Sequence, residues 1–140
     1  MILPVTLTAA GAAALINLWL AARVAQQRKS EQVWVGDGGK ASLIARMRAQ
    51  ANFIEYAPIV LILFGVIELA SGTTMLLWLA MSIFLIGRVA HPFGMDGWKP
   101  GRMIGALTTF VIMLGLAIYA IAIPYMAPAH VAPIEMVQQG

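Results

Sequence analysis

The sequence contains no cysteine. That excludes a disulfide framework, a thiolate metal site and a cysteine nucleophile. Charge is almost as scarce. Only 11% of the residues are Asp, Glu, Lys or Arg, against about 25% in soluble domains. The two histidines, His91 and His130, are far apart and have no partners at ligand spacing, so no metal is expected. There is no Gly-rich phosphate loop. The net charge of +3 could suggest nucleic acid, but the basic residues gather beside apolar segments in a pattern that suits a membrane, so no nucleic-acid partner is expected.

What the sequence has in abundance is apolar length. Hydrophobic residues make up 61% of the 140 positions, and mean hydropathy is +0.84. These values predict an integral membrane protein, with 1–140 as one domain and no room for a second. A helix of about 20 apolar residues spans the hydrocarbon, and four segments qualify: about 3–25, 42–70, 74–91 and 101–123. The first lacks a basic leader and is expected to span the membrane rather than act as a signal peptide. It is rich in small residues, and Asn17, its one strongly polar side chain, is expected to hydrogen-bond between helices. The polar stretch Gln26–Ala41, with its Gly36-Asp37-Gly38-Gly39 turn, is expected to be loop one. Pro92 is expected to end the third helix at His91. Residues 93–100 are expected to form loop three, and 124–140 an irregular tail in which His130 is a bystander. Gly101 and Gly105 make a GxxxG pair, a weak packing signal on its own. The fold class expected is an all-α membrane protein, a bundle of four transmembrane helices.

All nine basic residues fall near loops one and three: Arg23, Arg28, Lys29, Lys40, Arg46 and Arg48, then Arg88, Lys99 and Arg102. The positive-inside rule makes those loops cytoplasmic and puts both termini and the Ser71-Gly72 turn outside.

The stretch from Arg48 to Pro58 carries the polar chemistry. Arg48, Asn52 and Glu55 stack on one helical face, flanked by Tyr56. Glu55 lies inside or at the edge of the hydrocarbon, where an ionisable group by default marks function. Pro58 weakens or kinks the helix one turn further on. Topology brings Arg88 and His91 of the third helix and Arg102 of the fourth to the same membrane face. Arginines bind carboxylates bidentately, Glu55 can hold an ammonium, and Asn52 and Gln50 can pair with peptide groups. The set suits a small polyanion carrying an amine. Glutathione fits it, as do other acidic peptides and nucleotides. A buried ion pair that only orders the bundle, and arginines that snorkel to headgroups, are the alternatives without a ligand.

Arg48, Ala49, Gln50, Asn52, Glu55, Tyr56 and Pro58 resemble the second-helix signature of the MAPEG family, the membrane-associated proteins of eicosanoid and glutathione metabolism. Phe53, Ile54 and Ile59 resemble its bacterial branch. Gly87-Arg88-Val89-Ala90-His91 is similar to the third-helix motif of microsomal prostaglandin E synthase. Arg102 falls where the leukotriene synthase has the arginine that polarises the glutathione thiol. The resemblance implies a homotrimer in the bilayer, with glutathione as co-substrate between subunits near the cytoplasmic face. It implies Arg48, Asn52, Glu55, Tyr56 and His91 for binding, Arg102 for thiolate formation, and Arg28 more weakly, because loop one varies in length. Where relatives carry helper hydroxyls, this chain has Phe93, Met95, Met103 and Ala106. The expected function is conjugation of glutathione thiolate to lipophilic electrophiles, with or without peroxidase chemistry, in a bacterial inner membrane. The alternatives are a non-catalytic binder of glutathione or an acidic metabolite, and a small transporter subunit using Glu55.

Overall fold

The structure is a computed structural model that describes residues 2–126. They form four helices: α1 (Pro4–Glu31), α2 (Ala41–Ser71), α3 (Met75–Met95) and α4 (Lys99–Met126). Each is long and apolar enough to cross a membrane. The connections are short, so successive helices run antiparallel. Loops one and three lie at one end of the bundle and the 72–74 turn at the other. α3 and α4 form the most extensive pair, followed by α1 and α2. Among the described residues α1 and α4 do not pack on each other, so α2 and α3 form the shared middle. Phe53, Val60, Phe64 and Ile67 of α2 meet Leu77, Met81 and Phe84 of α3 there. Between spans such packing replaces the hydrophobic effect as the driving force, because lipid tails are as apolar as the side chains.

The helices overrun the sequence-based bounds, and each overrun has a local cause. α1 continues to Glu31 rather than ending near 25, because Gln26, Gln27, Arg28 and Lys29 are sound helix formers once past the apolar span. It stops where Gln32 turns left-handed at φ 54°. α3 does not end at His91. It passes through Pro92 to Met95, with Pro92 buried in the packed face. α2 passes Pro58 and α4 passes Pro124 in the same way. In an apolar medium the neighbouring backbone groups have no water to turn to, so helix remains the cheapest state on both sides of a proline. Pro124–Met126 of the expected tail are therefore helical, while 127–140 and His130 lie outside the described residues. α3 begins as the sequence suggests, with the Thr74 hydroxyl accepting from the Leu77 N–H at 3.3 Å.

α3 and α4 approach closely because glycine faces side chain across the seam. A Cβ on Gly105 would stand 2.5 Å from His91 Cβ and 2.7 Å from the Gly87 carbonyl oxygen. Gly101 and Gly105 are both buried in this contact. At the opposite end a tertiary contact caps α1. Leu3 offers no capping side chain, and the carboxylate of Glu68 takes that role. It accepts from the Val5 and Thr6 N–H groups at 3.0 and 2.8 Å, and from the hydroxyls of Thr6 and Thr73 at 2.7 and 2.8 Å.

Candidate functional site

Arg88 is the largest fully buried side chain in the bundle, only 1% exposed. It reaches from α3 between α2 and α4. One terminal nitrogen donates to Asn52 Oδ1 at 2.9 Å and the other to the Thr109 hydroxyl at 3.1 Å. The Thr109 hydroxyl in turn donates to the Gly105 carbonyl at 2.7 Å. The guanidinium also lies 5.5 Å from the Phe53 ring centroid. All these partners are neutral. Among the described residues no carboxylate pairs with Arg88, and its Nε has no hydrogen-bond partner. One turn on, His91 is buried against Gly105 and its Nδ1 is equally without a partner. A buried cation ordinarily acquires an anion. This one is placed by neutral dipoles and an aromatic face, with no anion against it among the described residues.

The remaining expected residues divide. Arg48 and Glu55 face each other at 3.9 Å on the outer side of α2, their side chains 62% and 49% exposed. The shared face of Arg48, Asn52 and Glu55 is thus split: the two ends pair outside, and Asn52 turns inward to Arg88. Tyr56 meets Phe110 edge-on at 5.4 Å, and Gln50 is half-buried further up α2. Arg102 is exposed and has no ion pair or hydrogen bond among the described residues. It lines a depression of about 420 Å³ with Gly94, Lys99, Met103 and Ala106. Arg28 is not brought to this group. It folds over loop one, donating to the carbonyls of Val33 and Gly36 at 3.3 and 2.7 Å, an arrangement that orders the loop.

Three polar features escape a reading by motif. Thr109 is hidden in an apolar run and has no signal of its own. Among the described residues Glu68 is the single acid near the end without basic residues, which is a usable signal. Asp96 follows the proline that was expected to end α3, so it reads as loop. It instead pairs with Arg23 of α1 and lies 3.9 Å from Arg46 of α2.

Four spans, one cationic end and a buried arginine held by neutral dipoles define an all-helical membrane protein with its polar chemistry at one membrane face. The chain belongs to the MAPEG family, whose sequence pattern matches residues 6–122 and which includes glutathione transferases. It is similar to the inner membrane protein YecN of Escherichia coli K12, 29% identical over 95 residues, which are 65% of this chain and 72% of that protein. The protein of the same name from Escherichia coli O6:H1 gives the same figures. No solved structure matches the chain significantly.

Proposed function

We propose that the protein is a glutathione-dependent transferase of the membrane, assembled as a trimer, that joins the glutathione thiolate to lipophilic electrophiles entering from the bilayer. The observation that carries the reading is Arg88: a buried guanidinium with no anion among the described residues, beside His91, whose Nδ1 has no partner there either, at the end that also presents Arg48, Glu55 and Arg102. A tripeptide with two carboxylates, an amine and a thiol matches that set of donors and the one carboxylate. Glu55 would hold the ammonium, Asn52 and Gln50 the peptide groups, and Tyr56 the rim. Arg102, without a partner among the described residues, would stabilise the thiolate. A guanidinium stays protonated and cannot be the base, so the thiol proton leaves to water. The sulfur then attacks the electrophilic carbon, and the leaving group departs with the bonding pair.

A neighbouring subunit supplies the remaining wall. Glu55 and Arg48 are half exposed on one subunit, which suits a site completed at a boundary. Loops one and three are cytoplasmic in this reading, the termini are outside, and the membrane is the bacterial inner membrane. A non-catalytic glutathione binder is the second reading. It is favoured by one observation: the depression around Arg102 is lined by Gly94, Lys99, Met103 and Ala106, none of which has a hydroxyl to assist the thiol.

The test is a thermal-shift titration of detergent-solubilised protein with glutathione, followed by turnover with a chloronitrobenzene. Stabilisation with turnover supports the transferase, and stabilisation without turnover supports the binder. No stabilisation refutes both.

A further inference from the structure

The α3–α4 corner is tied to the other two helices by charges that the preceding reading does not use. Asp96 sits in the three-residue connection 96–98 and pairs with Arg23, while Arg46 Nε stands 3.9 Å from its other oxygen. Arg46 also donates to the Arg23 carbonyl at 3.2 Å, which joins α2 to α1 at the same point. Arg23 is itself held by aromatic faces. Its guanidinium is 4.9 Å from the Trp19 ring centroid and 5.9 Å from that of Phe93. Its side chain is 12% exposed, against 36% for Asp96. Packing therefore fixes the cation, and the carboxylate is the half that could be released.

Little slack separates Asp96 from Arg102. The Trp98 N–H donates to the Phe93 carbonyl at 3.1 Å, and the Gly101 N–H to the Trp98 carbonyl at 2.9 Å. Gly94 lies directly on the start of α4: a Cβ there would be 1.9 Å from Arg102 N and 2.6 Å from Arg102 Cα. A shift of the corner is thus passed to the Arg102 backbone without an intervening flexible link. We propose that Asp96 is a positioning residue, which fixes where the Arg102 guanidinium stands relative to the thiol by fastening the α3–α4 corner to α1 and α2. This rests on the role given to Arg102 above. A partly exposed ion pair contributes little to global stability, so the consequence of the tie lies in placement.

The test uses Asp96→Asn, which keeps the size and removes the charge. Three quantities are read in the full-length detergent-solubilised protein: glutathione affinity by calorimetry, thiol pKa of bound glutathione by ultraviolet difference titration, and kcat for conjugation. Affinity is expected to stay within a few-fold. The thiol pKa is expected to rise, and kcat at neutral pH to fall roughly tenfold to a hundredfold, the scale of loss for a displacement on the order of 1 Å. Asp96→Glu should recover part of the loss. Should the Asn variant not fold, Arg46→Gln removes the longer contact and should move thiol pKa and kcat the same way by less. Unchanged thiol pKa and kcat in a folded variant overturn the proposal. So does a fall in affinity and melting temperature at constant thiol pKa, which marks a purely structural tie. A parent protein that binds glutathione without forming thiolate overturns the transferase reading and this proposal together, and that failure is seen in the parent rather than in the variant.

Discussion

Replacing Glu68 by Gln tests how far one carboxylate holds the end of the bundle remote from the cationic face. The two backbone donors rest on different oxygens, Val5 N–H on Oε1 and Thr6 N–H on Oε2. The threonine hydroxyls also divide, Thr73 on Oε1 and Thr6 on Oε2. Hydroxyls can rotate to become acceptors, but a backbone N–H cannot. A glutamine offers one oxygen, so in either amide orientation its NH2 group must face one of the two N–H groups. A buried donor left unsatisfied costs about 1–3 kcal/mol. Losing a negative charge at the N-terminus of α1 adds about 0.3–1 kcal/mol. Removing a charge from an apolar site offsets part of this. The net expectation is a loss of about 2 kcal/mol, equivalent to roughly 30-fold in an equilibrium constant. Unfolding in increasing SDS mole fraction measures the total, and hydrogen exchange at the Val5 and Thr6 amides measures the local part. Thr73→Val, which deletes one hydroxyl and leaves both N–H groups paired, should cost about 1 kcal/mol or less. If Glu68→Gln unfolds with the parent and both amides keep their protection, the carboxylate does not cap α1 and the reasoning fails.

Gly105→Ala should force α3 and α4 apart, because the added Cβ meets His91 Cβ at 2.5 Å and a backbone oxygen at 2.7 Å. Overpacking of this kind costs about 1–3 kcal/mol, and an unshifted SDS unfolding curve would contradict it. Glu55→Gln should weaken glutathione binding by about 10- to 150-fold, the worth of one charge-assisted hydrogen bond. Calorimetry showing unchanged affinity with a collapsed melting temperature would instead make Glu55 structural. Arg102→Leu should bind glutathione within a few-fold of the parent and lose the thiolate band at neutral pH. An adjacent arginine can hold a thiol well below its free pKa of about 8.5, so equal thiol pKa values in the two proteins would remove Arg102 from the mechanism. A reporter active only outside the cytoplasm should work when fused after Gly140 and fail when inserted at Gly38; the reverse would overturn the orientation.

The number of spans is legible without any structure, because four apolar runs of membrane length separated by glycine and charge have no other economical arrangement. So is the gathering of the basic residues at one end, since an even set of antiparallel crossings returns loops one and three to the same side. That Arg48 and Glu55 share a helical face follows from their spacing, whereas their contact at 3.9 Å is a matter of side-chain reach. Helix ends were less legible. Propensity rules written for water stop a helix at Pro92, and the apolar surroundings let it continue to Met95. Partnerships were decided by tertiary structure. Nothing local says that Asn52 turns away from Glu55 toward Arg88, or that Thr109 receives the second guanidinium bond. The first depends on how α2 packs on α3, and the second on how closely α4 approaches α3, which Gly105 permits. The same holds for the contacts of Glu68 with Thr6 and of Asp96 with Arg23, which lie 62 and 73 residues apart along the chain. A lone acid in an apolar sequence announces that it must be paired, but only the packed bundle selects the partner, because the cost of an unpaired buried charge is set by which helices meet around it.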